Sequence, residues 1–297
     1  MCSDLIMNDT VVANIFEQAS AILKVNLRDK ISNGQLAELT LSEMAQPIVL
    51  TTSYALFQSF IQKVDHDPEY LIGHSLGEIT ALLASKALSL KDAIIFAKER
   101  GKLMHQAFIR NMGHASIVVN IDIKKLTQLV ESIKPHLDVS ISAYNSPNQF
   151  VVAGSAEGLR ILDKKVQRYY GEVIPFKMIP MKSDAPYHTK RMNFLRRKLH
   201  DILNTICFKT PQQKIYSSVT NTIIDSAKKA KQILLQQLTS PVLWLQVIKA
   251  LISEKIELFI DIGPNDIMKN LIQDMSGIAK VFAYDNSIDR ASLFSAS

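Results

Sequence analysis

The sequence is short of cysteine. Its 297 residues include 2 cysteines, Cys2 and Cys207. A disulfide framework or a structural metal cluster uses several cysteines at characteristic spacings, and this pair can build neither. We therefore expect no disulfide scaffold and no metal site, and we place the protein in the reducing cytoplasm.

Long apolar runs are also missing. No uninterrupted apolar stretch reaches the length that a transmembrane helix needs. The N-terminus lacks the basic and then apolar pattern of a signal peptide. The sequence accordingly predicts no membrane partner.

Aromatic residues make up only 7% of the chain, although its net charge is +6. The lysines and arginines are scattered and no nucleic-acid-binding motif is present, so we expect no nucleic-acid partner. A basic surface also suits an acidic protein or a phosphorylated cofactor, and we prefer these two interpretations.

The most informative segment is residues 70–78, which read YLIGHSLGE. A short apolar run ends in Gly-x-Ser-x-Gly and a helix-forming run follows, which predicts a strand, a sharp turn and a helix. Such a turn presents the Ser75 hydroxyl as a nucleophile, and we expect a Cβ to clash at Gly73 and at Gly77. The backbone N–H of Leu76, at the helix start, can face an oxyanion. The alternative is a coincidental Gly-Ser turn.

Hydrophobic residues form 47% of the chain, enough for a sizeable core. The stretch from residue 114 to 179 carries strand, helix, strand, strand, helix and strand in order, which is typical of a ferredoxin-like unit. The predicted helices are 9–23, 41–64, 89–108, 124–133, 156–170, 191–203, 233–238, 244–251 and one from 266. The predicted strands are 70–72, 116–121, 139–144, 150–153, 172–179, 215–219 and 256–262.

These elements predict an α/β fold with an inserted subdomain. An α/β-hydrolase-like core with a parallel sheet is assigned to residues 1–113 and 183–297. A ferredoxin-like (βαββαβ) small subdomain is assigned to residues 114–182.

Arg100 lies on the predicted helix 89–108 with apolar residues three and four positions away. These neighbours are Phe96, Ala97, Leu103 and Met104. One interpretation is a surface arginine whose stem covers apolar groups. The other is a cation held in an apolar wall, where its guanidinium can bind a carboxylate through two hydrogen bonds.

His188 lies in the predicted loop 183–189, between the edge of the subdomain and the start of a helix. This place suits a general base, but it equally suits an ordinary loop histidine. The chain has 7 histidines, and the residues alone do not choose among them.

Six segments taken together resemble the acyl-CoA:acyl-carrier-protein transacylase family, which includes the malonyl transferases of fatty-acid and polyketide synthesis. They occur in the family's order across nearly the whole chain. The segments are 73–78 (GHSLGE), 100–104 (RGKLM), 144–147 with 151–154 (YNSP and VVAG), 185–188 (APYH), 237–244 (QLTSPVLW) and 262–264 (IGP).

The resemblance implies a two-step acyl transfer through a covalent acyl-enzyme. His188 takes the proton of Ser75, which attacks the thioester of malonyl-CoA, and the phosphopantetheine thiol of an acyl carrier protein then takes the acyl group. The family's histidine is oriented by a backbone carbonyl, here that of Gln237, and Leu76 supplies an oxyanion N–H. No tightly bound cofactor is implied.

The resemblance also assigns a substrate pocket. Arg100 matches the arginine that pairs with the free carboxylate of malonyl. Tyr187 is aromatic, as in many malonyl users. Asn145 and Met104 match pocket-lining positions, although either residue can equally serve packing.

The chain departs from the family at its start. Members open with a buried strand and a Gly-Gln-Gly-Ser-Gln turn that supplies a second oxyanion donor, and neither is found here. Either the start has been assigned late, which we expect, or the protein lacks a central strand and half of its oxyanion hole. The chain as given is expected to be a weak or unstable enzyme.

On this resemblance we predict a malonyl-CoA:acyl-carrier-protein transacylase. Its Pro-Tyr-His-Thr segment favours one that serves a polyketide synthase in trans, with fatty-acid synthesis as the close rival. Two other classes stay open. One is a hydrolase that clears acyl groups from carrier proteins, against which Arg100 argues, and the other is an inactive, truncated carrier-binding scaffold.

Overall fold

The computed structural model describes residues 3–35, 39, 41–178, 184–275 and 280–295. Its helices are α1 (Ser3–Asn8), α2 (Thr10–Leu23), α3 (Leu27–Asn33), α4 (Ser42–Ile61), α5 (Leu76–Ala84), α6 (Leu90–Ile109), α7 (Ile123–Ile133), α8 (Ala156–Gln167), α9 (Arg196–Asn204), α10 (Ala227–Gln237), α11 (Trp244–Ser253), α12 (Ile267–Gln273) and α13 (Ser287–Ser295). Within the described ranges, no helix combines the length and apolar character needed to cross a membrane.

The strands are β1 (Leu71–Ile72), β2 (His114–Val119), β3 (Val139–Tyr144), β4 (Gln149–Gly154), β5 (Glu172–Pro175), β6 (Ile215–Tyr216), β7 (Ile223–Ile224), β8 (Leu258–Asp261) and β9 (Lys280–Ala283). Short 3₁₀ helices cover Phe176–Met178 and Lys190–Leu195. The α/β fold class predicted from the sequence is confirmed by the solved structures reported below.

Helix caps account for where two of the predicted helices begin. The side chain of Asp9 accepts hydrogen bonds from the first N–H groups of α2, and Ser89 accepts one from Asp92 N at the start of α6. Helix α10 was wrongly predicted to begin at residue 233. It begins at Ala227, because Ser226 caps it by accepting from Lys229 N.

Among the described residues, the core strands form two hydrogen-bonded groups, and one of their pairings is antiparallel where a parallel sheet was predicted. Strand β6 pairs in parallel with β1 and antiparallel with β7, while β8 and β9 pair in parallel with each other. Both groups lie between the same two hydrophobic layers. Leu71, Ile215 and Ile260 face one layer, whereas Ile72, Tyr216 and Phe259 face the other.

The segment 114–175 forms its own antiparallel sheet, in the order β3-β4-β2-β5. Helices α7 and α8 pack on it, and their apolar side chains share a separate core with Val118, Phe150 and Val152. This is the strand order of a ferredoxin-like unit. The last strand ends at Pro175 and turns into a 3₁₀ helix, which shortens the predicted strand 172–179. Residue 179 and the proposed boundary at 182 and 183 lie outside the described residues.

Two polar links fasten the segment that carries His188 to this subdomain. Asp184 accepts a hydrogen bond from Ala115 N at 2.8 Å, where β5 no longer pairs with β2. On the other side of His188, Arg191 Nη1 donates to Asp138 Oδ2 at 2.8 Å, directly before β3. The loop is thus bound four residues before and three residues after the histidine.

Helices α4 and α6 approach each other closely at Gly101. A Cβ on this residue would lie 2.3 Å from Ser42 O, so only glycine allows the contact. The approach brings the preceding residue, Arg100, against Gln46 of α4.

Candidate active site

Ser75 stands at the sharp turn between β1 and α5, as predicted. Its backbone has φ 51° and ψ −106°, a conformation that costs a non-glycine residue about 1–3 kcal/mol. Two hydrogen bonds hold the turn, from Gly77 N to His74 O at 2.9 Å and from Glu78 N to Ser75 O at 3.1 Å. The fold therefore keeps the hydroxyl in a strained and defined position.

The two glycines of the motif have different roles. A Cβ at Gly73 would lie 2.0 Å from the backbone carbon of Gly77, so Gly73 is required for the turn to close. At Gly77 a Cβ would meet no atom within 4 Å. The prediction that a Cβ would clash at Gly77 is therefore wrong. This residue lies in the first turn of α5 and faces open space.

This difference predicts opposite effects of two matched substitutions. Gly73→Ala should lower the free energy of unfolding by about 3 kcal/mol, since backbone must move to admit the methyl group. Gly77→Ala should leave it unchanged or raise it by up to about 1 kcal/mol, because alanine favours helix. Urea unfolding of both variants measures the effect, and equal destabilisation would show that the turn does not depend on close packing at Gly73.

The structure connects Ser75, His188 and Gln237 through two consecutive hydrogen bonds. Ser75 Oγ lies 2.8 Å from His188 Nε2, and His188 Nδ1 lies 2.8 Å from the backbone carbonyl oxygen of Gln237. Because a carbonyl can only accept, Nδ1 carries the proton and Nε2 is free to receive one from the hydroxyl. The backbone of His188 has a φ of 59°, in the left-handed region.

The surroundings keep the ring of His188 neutral. Its pKa falls from the usual 6.5 to about 3, mainly because burial disfavours the charged ring and next because Arg100 lies nearby. The hydrogen bond to the carbonyl of Gln237 opposes this shift. At neutral pH the histidine is therefore a base whose Nε2 carries no proton.

Arg100 is buried in the wall of the site, with only 2% of its surface exposed. Its Nη2 donates to Ser75 Oγ at 3.0 Å and to Gln237 Oε1 at 2.9 Å, and its Nη1 donates to Gln46 Oε1 at 2.8 Å. Burial lowers the pKa of Arg100 to about 10, against the opposing charge of Glu78. The interpretation as a surface arginine is wrong, and a cation lies beside the nucleophile.

Glu78 belongs to the site although the sequence did not single it out. It is fully buried and accepts hydrogen bonds from Ser217 Oγ at 2.6 Å, Ser218 N at 3.2 Å and Gln237 Nε2 at 2.7 Å. Burial raises its pKa, and these donors and Arg100 oppose the rise. A carboxylate among the apolar positions of α5 was the available signal.

The remaining predicted residues lie close by. His74 donates from Nε2 to Asn145 Oδ1 at 2.9 Å, and the Tyr187 hydroxyl donates to Met104 O at 3.4 Å. Arg100 Nη1 also lies 3.3 Å from Met104 Sδ. These contacts show how the wall of the site is built. The substrate-lining role of Met104, Asn145 and Tyr187 stays a prediction.

Leu76 contributes the first N–H of α5. In the part of the chain that the structure describes, this N–H donates to no protein group, as is usual in the first turn of a helix. It is thus available to an oxyanion formed at Ser75. Within the same residues, no group of three histidine, cysteine, aspartate or glutamate side chains stands ready to hold a metal ion.

Together these groups can perform nucleophilic acyl chemistry. A hydroxyl, a neutral base and a free N–H are the three components of such a site. The buried guanidinium adds a positive charge that simple acyl transfer does not require. An acyl group with its own negative charge would match it.

Comparison with known proteins identifies the family of the chain. A family model described as an acyl transferase domain matches residues 1–280. The malonyl CoA-acyl carrier protein transacylase of Bacillus subtilis (strain 168) is 30% identical over 270 residues, which cover 91% of this chain and 84% of that protein.

Two solved structures share the whole fold. The structure of FabD from Acinetobacter baumannii matches with a TM-score of 0.90 and 27% identity, covering 100% of this chain and 93% of that chain. PlMCAT:AntF, a type II PKS acyl-carrier protein in complex with its malonyl-transacylase, matches with a TM-score of 0.93 and 25% identity, covering 100% and 95%.

Proposed function

The chain belongs to the acyl transferase domain family, and on that premise we propose that it transfers malonyl from malonyl-CoA to an acyl carrier protein. Ser75 is the nucleophile and His188 the general base. Arg100 binds the free carboxylate of the malonyl group. The relatives named above carry this activity in their names, and the geometry of the three residues supports it.

In the first step, Ser75 Oγ attacks the thioester carbonyl while its proton passes to His188 Nε2 over the 2.8 Å hydrogen bond. The Leu76 N–H stabilises the tetrahedral oxyanion. The C–S bond then breaks, the departing thiolate takes the proton from Nε2, and malonyl-Ser75 and free CoA remain.

In the second step, the same groups act in reverse order. His188 Nε2 takes the proton of the phosphopantetheine thiol, whose sulfur attacks malonyl-Ser75. The C–O bond breaks and Ser75 Oγ recovers the proton. Throughout, Nδ1 donates to the carbonyl of Gln237, which holds the ring in one tautomer without an acidic residue.

One observation carries the choice of malonyl: the buried guanidinium of Arg100 lies 3.0 Å from Ser75 Oγ. A charge that is nine-tenths or more buried is costly unless a partner meets it, and a substrate carboxylate is such a partner. A hydrolase that removes plain acyl groups needs no such cation, so this arrangement disfavours the editing alternative.

The pathway is a finer part of the proposal. The Pro-Tyr-His-Thr segment favours service to a polyketide synthase in trans, in the cytoplasm, over fatty-acid synthesis. Malonyl transfer rates to a polyketide carrier protein and to a fatty-acid carrier protein, measured side by side, decide between them. A faster rate to the fatty-acid carrier would reverse the assignment.

The central experiment follows the malonyl group through both steps. Purified protein is incubated with malonyl-CoA, and its intact mass is measured before and after addition of holo carrier protein. We expect a malonyl adduct that then moves to the carrier. An adduct lost to water at the same rate without carrier would identify a hydrolase, and no adduct at all would support the inactive scaffold.

The low pKa of His188 predicts a flat response of acylation to mild acid. Because the folded protein keeps this ring neutral down to about pH 3, the rate of malonyl-Ser75 formation should not decline with His188 protonation between pH 7 and pH 5. Rapid-quench mass spectrometry at several pH values tests this. A titration of the rate with a midpoint near the ordinary histidine pKa of 6.5 would contradict it.

The same shift predicts how His188 contributes to stability. The unfolded chain binds a proton at this residue below pH 6.5, whereas the folded chain does so only near pH 3. The contribution is therefore constant above pH 6.5 and falls as the pH drops through that interval.

A further inference from the structure

Two opposite charges are buried behind the nucleophile without touching each other. Glu78 is 0% exposed and Arg100 is 2% exposed. In the described ranges, the ion pairs with nitrogen and oxygen within 4.0 Å do not include this pair. Each charge is nevertheless felt by the other.

The side-chain amide of Gln237 lies between them. Its Nε2 donates to Glu78 Oε2 at 2.7 Å, and its Oε1 accepts from Arg100 Nη2 at 2.9 Å. The connection from carboxylate to guanidinium therefore runs through one neutral amide.

Two acceptors determine which way this amide points. Gln237 Nε2 donates to Ser75 O at 3.0 Å as well as to Glu78 Oε2, and the backbone carbonyl oxygen of Ser75 can only accept. Reversing the amide would set an oxygen against two oxygens. Its Oε1 is consequently always presented to Arg100.

Glu78 is held as an acceptor on its other oxygen too. Ser217 Oγ accepts from Val219 N at 3.1 Å, which leaves the hydroxyl proton to point at Glu78 Oε1. Ser218 N donates to the same oxygen. Among the described residues, each hydrogen-bond partner of the carboxylate is thus a donor, and the group needs no proton of its own.

This arrangement meets two conflicting demands on a cation that must receive a substrate. A buried guanidinium needs a negative charge nearby to stay protonated. A carboxylate in direct contact with it, however, would already occupy the hydrogen-bonding edge that a second carboxylate requires.

We propose that the Gln237 side chain is a spacer that keeps Glu78 close enough to balance Arg100 and too far to occupy it. Gln237 is then a positioning residue for substrate selection, a role separate from that of its backbone carbonyl on His188. The inference rests on the proposed function, because the carboxylate that Arg100 receives is that of malonyl.

The test places a carboxylate where the amide now stands. Gln237→Glu keeps the backbone carbonyl and nearly the same shape, but puts a negative oxygen against Arg100 Nη2. We expect the ratio of kcat/KM for malonyl-CoA to that for acetyl-CoA to fall at least tenfold. A merely structural role would lower both values together and leave the ratio unchanged.

The chain offers a matched control at the preceding position. Gln236 is exposed, so Gln236→Glu makes the same chemical change one residue away from the site. Its selectivity ratio should equal that of the wild type. A drop of equal size in this variant would attribute the effect to net charge and overturn the proposal.

A second variant protects the test against misfolding. Gln237→Met removes the amide without adding charge, so Arg100 loses the acceptor that directs Nη2, and the ratio should again fall at least tenfold. The melting temperature decides which variant is folded. An unchanged ratio in a folded variant overturns the spacer. A wild-type protein without preference for malonyl would instead overturn the proposed function itself.

Discussion

Ser75→Ala should form no malonyl-protein at any time of incubation with malonyl-CoA. The side chain supplies both the attacking oxygen and the proton that His188 accepts, and no neighbouring group replaces either one. In hydrolases built on a serine and a histidine, removing the serine lowers kcat by about 10⁶-fold. Intact-mass spectrometry on the timescale of minutes measures the adduct directly.

Two further variants complete this experiment. His188→Ala should retain the adduct but slow its formation by about 10⁴-fold or more, because Ser75 then lacks a base. Ser253→Ala, at an exposed serine on α11, should behave as the wild type. Full malonylation of Ser75→Ala would mean that the nucleophile is misassigned.

Arg100→Met should cost malonyl loading far more than acetyl loading. Methionine fills much of the space but cannot bind a carboxylate, so only the substrate with a free carboxylate loses a partner. The change in discrimination should be about 2–5 kcal/mol, the range for truncating one side of a buried charge pair. Single-turnover loading with each acyl-CoA gives the two rate constants.

The control for this prediction lies at the end of the same helix. Arg110 is exposed and stacks on Phe194, so Arg110→Met removes a positive charge without reaching the site. It should change neither rate. Equal losses for malonyl and acetyl in Arg100→Met would make Arg100 a structural residue, and the assignment of malonyl would fall with it.

The nucleophile turn could be predicted because its constraint is local. Gly73, Ser75 and the helix that follows are neighbours in the chain, and the turn admits few residue types. Gly77 was misjudged for the opposite reason. Whether a Cβ clashes there depends on what packs against the residue from elsewhere, and the structure leaves that space open.

Residues that act through distant partners were harder to find. Glu78 stands in the motif, but its role depends on Ser217 and Gln237, which lie 139 and 159 positions away. Gln46 reaches Arg100 only because α4 and α6 touch at Gly101. The family resemblance predicted the role of the Gln237 backbone carbonyl. The contacts of the Gln237 side chain became known only from the three-dimensional structure.

Short strands and charged helix starts were also difficult to predict from the sequence. The predicted strand 215–219 covers only Ile215–Tyr216 in the structure. Its antiparallel partner β7 has two residues, too few for an alternating pattern, so this pairing was missed. The start of α10 reads AKKAK and lacks apolar periodicity, and a serine cap sets it instead. Long amphipathic helices such as α2 and α6 carried enough pattern to be placed within about two residues.

The hydrogen bonds of the site also determine when in folding it can exist. The bond from Ser75 to His188 closes a loop of 113 positions, that from Arg100 to Gln237 one of 137, and that from Glu78 to Gln237 one of 159. Loops of this length close only after local helices and hairpins have formed, because their entropy must be met by many contacts at once. Recovery of acyl-transfer activity during refolding therefore reports the last event of assembly, and a partly folded chain can be largely helical and still inert.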